Sequence, residues 1–212
     1  MKVLQVDLNK DYSHAIQEAV EVLNSGGVII YPTDTLYGLG ANVMNESAVK
    51  KIFQIKKRSL AKPMPLIIKN IVWAKGLAHI NKRQEDMLEK IWPGKVTVVM
   101  AKKGIVPDIV TSGQKTVGMR VPDHLFVDQL LGKFGYPLTS TSANISGDEG
   151  TGDIYKIIET FSGEACRPDL IIDVGILPKS EPSTVLDLTG GKPKIIRVGP
   201  SRPDQLIRSL NI

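Results

Sequence analysis

The chain has 212 residues, 42% hydrophobic, 23% charged and only 5% aromatic, with a formal net charge of +5. That balance excludes a disordered chain and suits a single α/β domain over residues 1–212, with a core of Val, Ile and Leu. A lone cysteine, Cys166, rules out an intrachain disulfide. The absence of a signal core and of any apolar run near the roughly 20 residues of a membrane helix leads us to expect a cytoplasmic protein with no membrane partner.

Taken in chain order, Ala15, Ile16, Ala19, Val20 and Leu23 recur at helical spacing, and Gly26-Gly27 stops that helix. Residues 28–31 read as a strand broken by Pro32. A second helix is predicted from Glu46 to Lys57 with Asn45 as its N-cap, and residues 66–68 as a short buried strand. Residues 81–91 form a helix whose Asn81 and Gln84 are spaced as a capping box. Residues 96–100 and 116–121 are strands, and Asp123 caps a helix running to about Phe134. Residues 137–141 are a strand entering a polar loop, 153–161 a helix and 170–172 a strand. Residues 183–188 and 195–198 pair around Thr189-Gly190-Gly191, and 203–210 close the chain as a helix. Many strands with intervening helices predict a twisted, open, mixed sheet with flanking helices.

Five segments carry chemistry. Tyr31-Pro32-Thr33-Asp34-Thr35-Leu36-Tyr37-Gly38-Leu39-Gly40 places hydroxyls, a carboxylate and glycines after a strand, where α/β sheets gather functional residues; an ordinary turn is the alternative. In the basic stretch 50–63, Val49, Ile52, Phe53 and Lys56 share one helical face and Lys57 another. Lys56 therefore extends the inward stripe, and Lys56 with Arg58 suits a phosphate site, whereas Lys57 faces solvent; a solvated helix face is the alternative for the run as a whole. In Thr116-Val117-Gly118-Met119-Arg120-Val121-Pro122, alternation puts Thr116, Gly118 and Arg120 on one face. The glycine leaves room for a ligand and Arg120 can grip a carboxylate or phosphate through its fork; a wet edge strand is the alternative. Residues 138–147, LTSTSANISG, crowd hydroxyls and the Asn144 amide at a strand end, as small oxyanion donors or as a turn. Arg197, flanked by apolar residues near the Ser183–Leu188 strand, must find an anion or the solvent; a salt-bridged hairpin is the alternative. No P-loop or nucleophile elbow occurs, and His14, His79 and His124 are scattered without metal-ligand spacing.

YPTDTLYGLG, Lys56-x-Arg58, TVGMRVP, Ser142-x-Asn144 within TSTSANISG, and STVLDL with IIRVG occur in this order. Together, over residues 15–199, they resemble the YrdC/TsaC-type threonylcarbamoyl-AMP synthases. The resemblance implies the YrdC-like fold with a large concave basic surface. It implies a nucleotidyltransferase reaction in which L-threonine, bicarbonate and ATP, with Mg²⁺ on the nucleotide, give threonylcarbamoyl-AMP and pyrophosphate. The product would serve N6-threonylcarbamoyladenosine modification of tRNA through threonylcarbamoyl-transferase partner proteins. It places threonine near Thr33, Arg120, Ser140 and Ser183. It places ATP near Lys56, Arg58, Thr116, Ser142, Asn144 and Arg197, with Lys56 and Arg58 the catalytic pair and no protein metal ligand. Two departures stand out: Ser59 follows Arg58 where the family often has proline, and the extra C-terminal domain of longer relatives is not expected in a chain ending at Ile212. The main rival is a non-catalytic module on the same fold that binds double-stranded RNA or tRNA, which few and unclustered aromatics disfavour. A YciO-like paralogue and a hydrogenase-maturation domain are further rivals. The former tends to lack the Lys-x-Arg and Ser-x-Asn elements, and the latter carries zinc-finger cysteines.

Overall fold

In a computed structural model that describes residues 1–210, the apolar segments assemble into two mixed sheets where the sequence predicts one. Strand β1 (Lys2–Gln5) is followed by helix α1 (Ser13–Asn24), which buries the predicted stripe from Ala15 to Leu23. Strand β2 (Ile29–Tyr31) folds back on β3 (Gly38–Gly40) in antiparallel register. Gly38 and Gly40 are required by the Tyr31 ring: a Cβ at either would lie 2.8 or 2.6 Å from it. That pair of glycines accommodates a buried phenol, not a dinucleotide.

Helix α2 (Glu46–Ile55) is capped by Asn45, whose side chain accepts the Ala48 N–H. It ends two residues earlier than its charge pattern suggests. Lys57 adopts a left-handed φ of 50°, its N–H returning to Gln54 O and that of Arg58 to Phe53 O. This paired C-terminal closure usually takes glycine at the Lys57 position. Strand β4 (Leu66–Ile67), helix α3 (Ile71–Leu77) and helix α4 (Lys82–Ile91) follow, and the Asn81–Gln84 capping box forms in both directions. Next come β5 (Val96–Ala101), the short α5 (Asp108–Thr111), β6 (Thr116–Arg120) and α6 (Leu125–Phe134). Asp123 does not cap α6: its own N–H donates to Asp34, and His124 holds the N-cap position without a side-chain bond. Strands β7 (Leu138–Thr139) and β8 (Thr141–Ser142) lead to α7 (Ile154–Ser162), capped by Asp153, and to β9 (Leu170–Asp173). The hairpin of β10 (Thr184–Asp187) and β11 (Lys194–Arg197) and helix α8 (Pro203–Leu210) complete the chain.

One sheet runs β1-β9-β2-β3-β8 and the other β11-β10-β5-β6-β4-β7. The chain crosses from the second to the first at Ser140, between β7 and β8. A backbone bond from the Thr139 N–H to Ala41 O, and a bond from the Ala41 N–H to the Thr139 hydroxyl, tie the sheets at that crossing. Alternation along β6 holds as predicted: Val117 and Met119 enter the core while Gly118 and Arg120 face the other way. Each fully buried aliphatic side chain of this core contributes about 1.5–3 kcal/mol, which fixes the facing of the polar residues between them. Among the described residues, no helix is long and apolar enough to cross a membrane.

Candidate anion-binding hollow

Where the two sheets meet, the β2–β3 connection, the Ser140 crossing, β5, β6, the β10–β11 hairpin and the turn after α2 enclose a hollow of about 200 Å³. Thr33, Arg58, Arg120, Ser140, Ser142, Ser183 and Arg197, all singled out in the sequence, line it together. Thr35 and Thr97 line it as well and were missed. The signal for Thr97 was a lone hydroxyl in the apolar strand Val96–Ala101. Thr35 sits in a motif already singled out. Thr116 lies at the far end of β6, opposite Ala101, outside those walls.

The hydroxyls are not equally free. Thr33 Oγ donates to Leu36 O at 2.6 Å and accepts from the Thr35 N–H at 3.1 Å. The 3.1 Å contact between Thr33 and Thr35 hydroxyls must then be donated by Thr35. Thr33 is thereby saturated, and Thr35, which accepts from Arg120 Nη1 at 2.9 Å, keeps the lone pair open to the hollow.

Arg120 is 5% exposed and already engaged: Nε donates to Gly94 O at 2.9 Å, Nη1 to Thr35 and Nη2 to the Asp34 carboxylate. Its fork is thus partly committed within the protein, and one N–H on each terminal nitrogen is left for the carboxylate or phosphate that the sequence leads us to expect there. Burial lowers its pKa, and Asp34 opposes that. Asp34, overlooked in the sequence as a site residue, also accepts the Asp123 N–H through its second oxygen.

Lys56 is 1% exposed and gives its three protons to Ser142 O at 2.6 Å, Asn144 O at 2.8 Å and Asn144 Oδ1 at 3.2 Å. The Asn144 amide donates to Ile145 O and Asp148 O, and its oxygen also accepts from Ser142 Oγ at 2.5 Å. Lys56 and Asn144 therefore stand behind the wall and hold the loop that presents Ser142. Burial, then Arg58, lowers the Lys56 pKa to about 7, with Asp148 opposing.

Arg58 reaches the hollow because its head is drawn to Pro63 O at 2.9 Å and Lys62 O at 3.3 Å. Ser59 organises the same loop, its hydroxyl accepting the Ala61 N–H and its carbonyl the Lys62 N–H. Lys57 points away, to Glu164 at 2.9 Å. Arg197 is exposed as a residue, but its Nε and Nη2 lie on Ser183 O at 3.1 and 2.6 Å. Burial lowers the pKa of Arg58; burial and then Arg120 lower that of Arg197. No ion pair among the described residues involves Lys56, Arg58 or Arg197. Two guanidinium groups with only neutral partners, and a third matched by one carboxylate, give the hollow an excess of positive charge that a polyanion would relieve. A larger cleft of about 570 Å³ beside α3 and α6 is walled mainly by apolar residues, and its one lysine, Lys69, is bonded to Asp128. It offers no comparable anion site. Among the described residues, no three His, Cys, Asp or Glu side chains gather as a metal cage.

A family model described as Sua5/YciO/YrdC, telomere recombination, matches residues 21–199. A Pyrococcus abyssi protein named threonylcarbamoyl-AMP synthase is 36% identical over 185 residues, covering 87% of this chain and 54% of that one. The solved structure of P. abyssi Sua5 complexed with L-threonine superposes with a TM-score of 0.92 at 32% identity, over 99% of this chain and 61% of the other. This chain thus spans less than two thirds of both. The E. coli YciO crystal structure superposes with a TM-score of 0.85 at 27% identity, over 99% of this chain and 98% of that one.

Proposed function

Since the chain belongs to the Sua5/YciO/YrdC family, we propose that it is an L-threonylcarbamoyladenylate synthase, joining L-threonine, bicarbonate and ATP into threonylcarbamoyl-AMP and pyrophosphate. The observation that carries this reading is the convergence of Arg58, Arg120 and Arg197 on one hydroxyl-lined hollow with a single carboxylate among them. The names of the P. abyssi relative and its threonine complex support the choice of substrates.

In this reading the carboxyl group of threonine lies towards Arg120, Ser140 and Ser183, with the open lone pair of the Thr35 hydroxyl accepting a hydrogen bond from its amine or hydroxyl. The triphosphate lies along Arg58 and Arg197, with Ser142 at its edge. The carbamate oxygen of N-carboxylated threonine attacks the α-phosphorus, a P–O bond forms, and the bond to pyrophosphate breaks. No protein nucleophile takes part. The residues hold the two reactants in line and stabilise the leaving charge. Mg²⁺ would enter with ATP, since among the described residues no carboxylate lines the hollow and Asp34 beside it is committed to Arg120. The reaction would occur in the cytoplasm, within a single catalytic domain, with the adenylate passing to a transferase that modifies tRNA.

The test is threonine-dependent pyrophosphate release from ATP and bicarbonate. Release at the same rate without threonine, or RNA binding with no release at all, would overturn the proposal in favour of another substrate or of a binding module.

A further inference from the structure

The two ends of the hollow meet at Ser183. Its hydroxyl lies 2.8 Å from the Thr97 hydroxyl, its carbonyl accepts from Nε and Nη2 of Arg197, and the next residue, Thr184, is fully buried. The Thr184 hydroxyl makes two bonds, donating to Ser201 O at 2.7 Å and accepting the Gly199 N–H at 3.0 Å. The chain leaving β11 is thereby pulled onto the start of β10. It packs so closely that a Cβ on Gly199 would lie 2.1 Å from Pro182 O and 2.7 Å from Thr184 N. Arg197 sits two residues before this contact, in a field that Arg120 makes repulsive. Without a carboxylate to anchor it, its guanidinium is held at the wall by the backbone path and by the Ser183 carbonyl, with the Ser183 hydroxyl at 3.4 Å.

The geometry points to Thr184 and Gly199 as a positioning clasp that holds Arg197 in the hollow before any anion arrives. This rests on the reading of the hollow as a nucleotide site, and deepens it. Neither residue touches substrate. Their role is to keep an exposed cation pre-aligned, so that ligand binding does not have to order it.

The test is calorimetric titration of ATP into the wild type, Thr184→Val, Thr184→Ser, Arg197→Ala and the double variant Thr184→Val/Arg197→Ala. Thr184→Val keeps the shape and removes both hydroxyl bonds. It should weaken ATP binding about tenfold, the scale of one charge-assisted hydrogen bond. Thr184→Ser should bind as the wild type does, and the double variant no more weakly than Arg197→Ala alone. Losses that add in the double variant, or unchanged ATP binding by Thr184→Val, would overturn the clasp. Gly199→Ala, if it folds, should match Thr184→Val; wild-type affinity in that variant would count equally against the clasp. If the affinities follow this pattern but the wild type releases no threonine-dependent pyrophosphate, the proposed reaction fails and the clasp stands.

Discussion

The two sides of the hollow treat their cations differently. Arg120 is buried, matched by Asp34 and bound to two further oxygens before any ligand arrives. Arg58 and Arg197 rest on carbonyl oxygens, Arg197 also on the Ser183 hydroxyl, and among the described residues neither has a carboxylate. A guanidinium neutralised from within is part of the frame, and its loss is a loss of fold. One left with neutral partners keeps its charge for a ligand, and its loss is a loss of binding.

The strongest way to break this contrast is Asp34→Ala, which strands the Arg120 charge. It should lower unfolding free energy by about 3–5 kcal/mol in urea denaturation. A loss under 1 kcal/mol would show that Arg120 is not held by this pair. Next come Arg58→Ala and Arg197→Ala. Each should reduce kcat/KM for ATP by about 100-fold, roughly 3 kcal/mol of transition-state stabilisation, while urea midpoints stay near wild type. Equal damage to stability and activity would erase the distinction.

Lys56 sharpens the comparison from behind the wall. Its folded pKa lies at about 7, far below an ordinary lysine. A nearby polyanion favours the ammonium, so ATP affinity should fall as pH rises through about 7 and flatten once Lys56 is neutral. Lys56→Met should weaken binding and remove that step; a pH profile identical to the wild type would rule Lys56 out as its source. The smallest effect is expected at Lys57, in the left-handed position. Lys57→Gly should raise stability by about 1 kcal/mol, less the small contribution of the exposed Glu164 pair, with activity unchanged. A large activity loss would place Lys57 in the site after all.

Much of this was legible because local chemistry and fold agree. Asn45, Asn81 with Gln84 and Asp153 mark helix starts by capping their own first turns. The alternation of TVGMR survives because Val117 and Met119 must be buried. Strand β1 was missed since three of its four residues are exposed, and β3 since Gly-Leu-Gly has little strand propensity apart from its pairing with β2. Thr33 and Asn144 illustrate the limit for the site. Residue type suggests free donors, whereas their capacity is spent on Leu36, Thr35, Lys56, Ile145 and Asp148.

By itself, then, the sequence determined most of the helices, though not α3 or the short α5, the facing of β6, and a set of basic and hydroxyl residues in an order that marks the family. Those features depend on neighbours within a few positions along the chain. Only the tertiary structure decided that the chain changes sheets at Ser140, that Asp34 neutralises Arg120 from 86 residues away, and that Arg58 and Arg197 are left uncompensated. Whether a charge is free or spent depends on which oxygens the fold brings within hydrogen-bond reach, and that is a property of packing rather than of composition.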